Sequence, residues 1–386
     1  MGTADASFWL AVSTLAITLL AAIDLCIGNR SVHALREESP YTTTCLPRVS
    51  IVVAARNEQR NIREALQSLL TLGYPDYELI VVNDRSEDDT GRILEEMAAR
   101  QCRLKIIHVD VLPPGWLGKN HALWLGSRRA TGDLLLFTDA DIVMEPTVVT
   151  RAVRFFERNR LDHLAATPSM QMPGTLLGMF GASFIIIFSL FCRPWKAKDP
   201  ASGCHIGIGA FNLIRAEVYR QVGGHETIRL RPDDDIKLGK IVKRGGFRQD
   251  VVYAPEYLSV EWYASLSEAV RGLEKNAFSG VEYNVAMVLG AVVVHAATSI
   301  WPFAAMFLTS GVTRGIYSVV IAFIMLAFVD SARYHHARGW YAIGYPAASA
   351  LFIAIMLRTM VLNLAQGGIY WRGTFYPLKE LKANRV

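Results

Sequence analysis

A chain of 386 residues holds one full domain and leaves room for a second structural region. Hydrophobic residues make up 52% of it and charged residues 19%, an apolar excess too large for a soluble core alone. The net charge of +5 comes without a Lys/Arg block, which argues against nucleic acid as a partner, and the five cysteines (Cys26, Cys45, Cys102, Cys192, Cys204) include no C-x-x-C pair, so neither a zinc site nor a disulfide framework is indicated.

Residues from about 8 to 27 form an apolar run of about 20, enough to span a bilayer once. Asp5 precedes the run, and Arg30 and Arg36 follow it. The positive-inside rule therefore places the N-terminus outside and the following chain in the cytoplasm, and residues 1–30 read as a retained anchor. A cleaved signal peptide would want positive charge before the run. After a polar linker through about Pro47, strands alternate with helices, the signature of a mostly parallel α/β sheet.

Residues 49–54 read as a strand ending in Arg56-Asn57-Glu58, and 61–70 as a helix with Ile62, Ala65, Leu66 and Leu69 on one stripe. A second strand, 77–82, ends in Asn83-Asp84. Ser86 to Thr90 then offers an N-cap and first-turn acids to a helix reaching about Arg100. Residues 104–109 form a third strand. Pro113 to Asn120 is a turn-rich loop that enters a helix over 122–130. The fourth strand, 133–138, is a short apolar run that ends in Asp139-Ala140-Asp141.

Two carboxylates thus leave a buried strand together. At the carboxyl end of a parallel strand, hard oxygen ligands suit Mg²⁺ or Mn²⁺ together with substrate phosphates, while a solvated turn is the other reading of the same residues. Three strand ends carry polar groups toward one edge: Arg56, Asn57 and Glu58, then Asp84, then Asp139 and Asp141. Such an edge fits a nucleotide, with Asp84 and Glu58 accepting from base or ribose and Lys119 facing phosphate. No G-x-G-x-x-G or Walker loop is present, so dinucleotide and P-loop chemistry lose support.

Taken together, Val52-Val53-Ala54-Ala55-Arg56-Asn57-Glu58, Val81 to Thr90, Gly118-Lys119 and Asp139-Ala140-Asp141 resemble the family-2 glycosyltransferases of GT-A fold. Gly203 to Arg215, Gly223-Gly224-His225 and Asp234-Asp235 continue the resemblance on the acceptor side, so that the motifs cover about 47–283 in order. The resemblance is to the membrane-anchored group that glycosylates ceramide, carotenoid and hopanoid lipids. It implies a Rossmann-like catalytic domain and a nucleotide-sugar donor, a UDP-sugar by default. Ala55, Asn57, Glu58, Asp84 and Lys119 fall on the donor side, with Asp84 at the nucleoside. Asp139 falls at the ribose or metal region and Asp141 at a Mg²⁺ or Mn²⁺ ion on the diphosphate. Asp234 and Asp235 form the catalytic acidic pair, with Asp235 as general base. Helix N-capping is the plainer reading of Asp233-Asp234-Asp235.

Processive members of the family carry Gln-x-x-Arg-Trp after the base. Here Arg271 to Asn276 occupies that interval, and the missing Gln and Trp put polymer synthesis in doubt. Arg271 and Lys275 lie four apart on a helix and can offer cations to the diphosphate, or can form a solvated face opposite Leu266, Val270, Leu273 and Ala277. His205 and His225, each near glycine, read as locally bonded loop residues or as a third metal ligand.

Residues 175–195 are long and apolar enough nearly to span. A single crossing there would put Asp141 and Asp235 on opposite sides of the bilayer. A helix lying in the interface or buried is therefore expected, with Arg193, Trp195, Lys196 and Lys198 at the headgroups. Beyond Glu282, apolar runs at about 285–308, 316–328 and 341–357 read as three spans within a C-terminal membrane region, 284–370. The basic loop 333–338 belongs in the cytoplasm, yet a third crossing would leave the basic tail, 371–386, outside. Either Arg358 marks a segment that does not cross, or Pro302 splits an earlier one into re-entrant halves. Trp371-Arg372-Gly373 with Tyr376 resembles a tail of lipid-directed relatives, which favours a cytoplasmic tail.

The function expected is inverting, metal-dependent transfer of a sugar to a lipid-like hydroxyl by an integral protein of the plasma or inner membrane, with a cytoplasmic catalytic domain. A processive polysaccharide synthase and a nucleotide-sugar-binding protein without turnover are the alternatives.

Overall fold

The computed structural model describes residues 3–41, 46–274 and 276–386, which leaves Cys45 and Lys275 outside the described residues. Along the chain run α1 (Thr3–Ser31), β1 (His33–Ala34), β2 (Val49–Ala55), α2 (Ile62–Leu70), β3 (Tyr77–Asp84), α3 (Thr90–Ala98) and β4 (Leu104–Val109). There follow α4 (Gly118–Arg129), β5 (Leu134–Asp139), β6 (Val143–Met144), α5 (Val148–Arg158), β7 (His163–Thr167), β8 (Ser169–Gln171) and α6 (Thr175–Cys192). Next are β9 (Asn212–Arg215), α7 (Ala216–Gln221), α8 (Gly224–Thr227), α9 (Asp234–Arg244), β10 (Gln249–Tyr253), β11 (Leu258–Glu261) and α10 (Leu266–Leu273). The C-terminal part holds α11 (Val285–Ser299), α12 (Trp301–Leu308), α13 (Gly311–Ala332), α14 (Tyr345–Ala365), β12 (Gly368–Trp371), β13 (Thr374–Pro377) and α15 (Leu378–Ala383). These elements fall into two compact units.

One unit comprises residues 32–170, 194–261 and 383–386. Its main sheet has eight strands in the order β1-β10-β7-β9-β5-β2-β3-β4, parallel except that β9 runs antiparallel to both neighbours. The Val, Ile and Leu side chains of β2 and β3 are buried on both faces, as expected of parallel strands covered by helices. On one side of the sheet lie the stripe Ile62, Leu66 and Leu69 of α2 and the Val149, Val153 and Phe156 face of α5. On the other lie α4, α7 and α9 through Leu123, Val218, Leu238 and Val242. Pairing of Ala55 with Asn83 and of Ala54 with Asp139 levels the carboxyl ends of β2, β3 and β5, the shared edge expected from their sequences.

Two boundaries differ from the sequence reading. The helix after β3 begins only at Thr90, because the carboxylate of Asp88 accepts the N–H groups of Thr90 (2.9 Å) and Gln59 (3.1 Å) and so lies in the turn ahead of the helix. The helix over 122–130 begins four residues earlier, at Gly118. Its start is fixed by tertiary bonds: Leu117 N–H donates to the Arg229 carbonyl (2.9 Å), and Asn120 Nδ2 donates to the carbonyls of Ile228 and Arg231.

The other unit comprises residues 1–31, 171–193 and 262–382. Ala6–Ser31, Gly311–His335 and Gly339–Ala365 of this unit, and Thr175–Lys196, which belongs to it up to Arg193, are long and apolar enough to cross a membrane, and α11 and α12 form a further pair bent by 45°. The bend falls at Ile300, just ahead of Pro302, whose ring is tolerated at the start of α12. The helices α1 and α13 pack along their length. Ala11 shares an apolar cluster with Tyr317, and nineteen residues further on Arg30 forms two 2.8 Å hydrogen bonds with the Asp330 carboxylate. Leu177 and Phe180 of α6 pack with Ala348 and Ile355 of α14 and with Ala269 and Leu273 of α10.

Candidate active site

The loops that follow β2 and β3 are knitted together by their polar side chains. Asn57 N–H donates to Ser86 Oγ (3.1 Å), Glu87 N–H donates to Asn57 Oδ1 (2.8 Å), and Glu58 N–H donates to Thr90 Oγ1 (2.8 Å). Asn57 and Arg85 take positive φ angles of 55° and 54°, which turns both loops sharply at the strand ends. Asp84, at the end of β3, is buried, and Arg85 holds its carboxylate through Nε (2.8 Å) and Nη2 (3.0 Å). The Cα of Gly118 lies so close to that carboxylate that a Cβ there would collide with it, so the start of α4 can approach the strand edge only as glycine.

The first turn of α4 delivers Lys119. Its ammonium lies 2.8 Å from Asp139 Oδ1 at the end of β5 and 3.3 Å from Asp234 Oδ1 at the start of α9. Burial opposes its charge, but Asp139, Asp234 and Asp235 more than offset that and raise the Lys119 pKa. One lysine therefore ties the Asp-x-Asp to the acidic pair that lies nearly a hundred residues further along the chain.

The chain ahead of β9 makes a second tie. Asp139 N–H donates to the Gly209 carbonyl (3.0 Å), while Gly209 N–H donates to Asp235 Oδ2 (2.8 Å). A Cβ on Gly209 would strike Asp139 Oδ2, and one on Gly207 would strike the Asp235 carbonyl. Gln249 fixes this stretch by accepting from Ile206 N–H (2.9 Å) and donating to the Gly239 carbonyl (3.0 Å). The sequence reading did not single out Gly207 or Gly209. The signals were the resemblance over residues 203–215 as a whole and three glycines within the seven residues from 203 to 209.

The three acids opening α9 divide their work. Asp233 does not cap the helix with its side chain; it forms a buried ion cluster with Arg231 (3.3 Å) and Lys237 (3.3 Å). Asp234 faces Lys119. The Asp235 carboxylate accepts from Gly209 and Ile236 N–H groups (both 2.8 Å), and burial first, then the neighbouring Asp234, raise its pKa above the ordinary carboxylate range. Asp141 is raised as well, by burial first and then by Asp139 and Glu58. A carboxyl destabilised in this way by other acids is a place where added positive charge is favoured.

No three carboxylate, imidazole or thiolate groups close on one point among the described residues. Two carboxylates, Asp139 and Asp141, suit an ion that takes one or two protein oxygens and fills its other positions from phosphate and water, which is the habit of Mg²⁺ and is open to Mn²⁺. The residues present fit such an ion.

Neither histidine is drawn into this set. His225 is buried, with Nδ1 2.9 Å from Tyr219 Oη and its ring edge on Phe137, and burial lowers its pKa to about 3. His205 Nδ1 lies 3.2 Å from the Gly203 carbonyl. Arg271, on α10, donates to the carbonyl of Ser267 in its own helix (3.3 Å) and lies on the face opposite Ala269 and Leu273. Ala55, Asn57 and Glu58 stand where the sequence put them, at the carboxyl end of β2. No disulfide joins any of the four described cysteines, Cys26, Cys102, Cys192 and Cys204.

A mostly parallel sheet with an Asp-x-Asp at the end of β5, met by Lys119 from α4 and by the acids that open α9, is consistent with the GT-A fold. Residues 50–223 match the family model for Glycosyl transferase family 2, so that stretch carries a domain of this kind. Among curated relatives, 4,4'-diaponeurosporenoate glycosyltransferase of Staphylococcus aureus is 21% identical over 381 residues, spanning 96% of this chain and 99% of that protein. Poly-beta-1,6-N-acetyl-D-glucosamine synthase of Staphylococcus epidermidis is 25% identical over 228 residues, 59% of this chain, and about half of that synthase, 52%, is matched. Of solved structures, a mannosyltransferase from Pyrobaculum calidifontis in complex with GDP-Man and Mn²⁺ aligns over 90% of this chain and 99% of its own at a TM-score of 0.57 and 18% identity, a likeness of fold.

Proposed function

We propose that this glycosyltransferase moves a sugar, with inversion, from a nucleoside-diphosphate donor to the hydroxyl of a lipid-like acceptor, that it needs a divalent metal, and that it does so as an integral membrane protein with its catalytic unit in the cytoplasm. The observation that carries the chemistry is the double tie from Asp139 to the acidic pair, through Lys119 on one side and Gly209 on the other. It brings Asp139, which this reading assigns to the diphosphate, beside Asp235, a carboxylate of raised pKa. The lipid acceptor is supported by end-to-end similarity to a relative whose name gives it a carotenoid acid as acceptor.

In this reading the nucleoside lies against Asp84 and the loop that bears Ala55, Asn57 and Glu58, and Asp139 and Asp141 face the diphosphate. A divalent cation bound there would neutralise the charge that grows on the departing nucleoside diphosphate. Asp235 accepts the proton of the acceptor hydroxyl. The freed oxygen pair forms the bond to the anomeric carbon from the face opposite the diphosphate, and the bond to the diphosphate oxygen breaks with its electrons, which inverts the centre. Asp234 holds the Lys119 ammonium in place between the two halves of the site. Lys119 can offer that charge to phosphate.

Purified full-length protein supplied with UDP- or GDP-sugars and a polar-lipid extract is expected to release nucleoside diphosphate in step with glycolipid, with Mg²⁺ or Mn²⁺ present and not after chelation. Release that is indifferent to chelator, or none with any acceptor, counts against the reading.

A further inference from the structure

Four long apolar helical stretches and one bent pair suggest as many as five crossings, but contacts within each unit restrict the count. The helices α1 and α13 run parallel, since Ala11 meets Tyr317 near one end and Arg30 meets Asp330 near the other. The chain after each therefore emerges on the same face, and the chain after α1 is the catalytic unit. Residues 333–344, with Arg333 and Arg338, then lie on the catalytic side, where basic loops belong.

The C-terminus returns to the catalytic unit as well. Asn384 Oδ1 accepts from Leu230 N–H and its Nδ2 donates to the Thr227 carbonyl, each at 2.9 Å, and Val386 packs into the cluster of Ile214, Ile228 and Leu238. So α14 starts and ends on the catalytic side and makes no net crossing. The same holds for α6, because β7 before it pairs with β9 after it in one sheet. What remains is the bent pair, which must carry the chain outward so that α13 can bring it back.

We propose that α6 and α14, although each is long enough to span, lie as a packed pair in the leaflet on the catalytic side and offer that leaflet's lipid a docking surface, while α1, the bent α11–α12 pair and α13 make the crossings. The pair presents large apolar side chains outward: Leu176 and Phe191 from α6, Val361 and Leu364 from α14. Its interior is apolar and aromatic, with Phe184 of α6 near Phe352 of α14 and Trp262. Its charges are paired: Arg193, which follows α6, with Asp24 (2.7 Å), and Arg358, two turns before the end of α14, with Glu274 (2.5 Å). This placement decides between the alternatives left by the sequence in favour of a non-crossing segment at Arg358. It rests on the membrane reading of the chain and is independent of which sugar or acceptor is used.

The test uses the full-length chain with its five cysteines replaced. Single cysteines at Ala347, Ala354 and Val361 fall on the exposed face of α14, seven residues apart, about 21 Å from first to last along the axis. Spin labels at the three sites in phospholipid vesicles are expected to report nearly equal, shallow depths by oxygen against nickel-chelate accessibility. Depths that run through the bilayer midplane, or exposure of all three sites to water alone, would overturn the proposal. In intact cells a membrane-impermeant maleimide is expected to label Ser310→Cys, and to label Ala337→Cys and Arg385→Cys only after permeabilisation. Labelling of Arg385→Cys from outside would also overturn it. Release of the protein from membranes by alkaline carbonate would refute the membrane reading itself, with the transfer chemistry still standing or falling on the nucleotide-release assay.

Discussion

The carboxylate of Asp235 is under opposed influences: burial and Asp234 raise its pKa, while Lys119 and the N–H of Ile236 favour its charge. The outcome, a carboxyl that titrates above the ordinary range of about 4, suits a base that works near neutrality. Asp235→Asn is expected to lower transfer by about 10²–10⁴-fold, the usual share of general-base catalysis. The donor dissociation constant, read by calorimetry, should hardly move; retained transfer would remove Asp235 from this role. At saturating metal the acid limb of kcat/KM should lie above the ordinary carboxylate range. Asp234→Asn should shift that limb to lower pH, because it removes a negative neighbour that raises the pKa. The same shifts bear on stability. A carboxyl whose folded pKa exceeds its unfolded value binds more protons when folded, so its contribution is present at low pH and lost as the pH rises through the folded pKa. Metal-free protein should therefore gain melting temperature from Asp141 and Asp235 between mildly alkaline and mildly acidic pH, and Asp141→Asn should flatten that gain. These acids were legible in the sequence, since an Asp-x-Asp after an apolar run and an acidic pair before a helix are local patterns. Gly209 was not, because what it does depends on two groups about seventy residues before it and twenty-six after it.

At the scale of elements, β2, β3 and β5 were readable to within a residue or two, since strands buried on both faces are written as unbroken apolar runs. The four residues of β9 are too few to announce a strand, and the antiparallel insertion they make is what brings the 203–209 glycines against β5. The start of α4 was hidden for a related reason: Leu117 offers no capping side chain, and the bonds that begin the helix come from Asn120 and from the Arg229 carbonyl. Both cases make a prediction about glycine. Gly209→Ala would push a methyl into Asp139, which must then leave Lys119 or drag β9 away from β5. Overpacking of this kind costs about 1–3 kcal/mol, and activity should fall by more than the loss of folded protein accounts for. Gly118→Ala, by crowding Asp84, should instead weaken donor binding, seen as a raised KM for the nucleotide sugar. An unchanged KM would separate Asp84 from nucleoside contact.

For the whole molecule, the number of crossings bears on what the enzyme makes. A synthase that extrudes a growing polysaccharide needs a conduit of crossing helices beside its catalytic domain, and the similarity to a poly-N-acetylglucosamine synthase raises that possibility. That similarity stops at about half of the synthase, whereas the carotenoid-acid relative is matched over 99% of its length. In the topology proposed here α6 and α14 lie in one leaflet, and α1, α11–α12 and α13 are left to cross. Two of these are bound face to face by an apolar seam and an ion pair between Arg30 and Asp330. That seam joins α1 and α13 directly to each other, and a leaflet-bound platform suits an acceptor that arrives by lateral diffusion in the lipid. The interval that in processive members holds Gln-x-x-Arg-Trp lacks both Gln and Trp here, which removes the residues that would keep a growing chain in place. The product should therefore carry a single added sugar. Mass spectrometry of lipids from a reaction run to high conversion should show one new species per acceptor, heavier by one glycosyl residue. A ladder of regularly spaced masses would require a conduit, and with it a different account of where α6 and α14 lie.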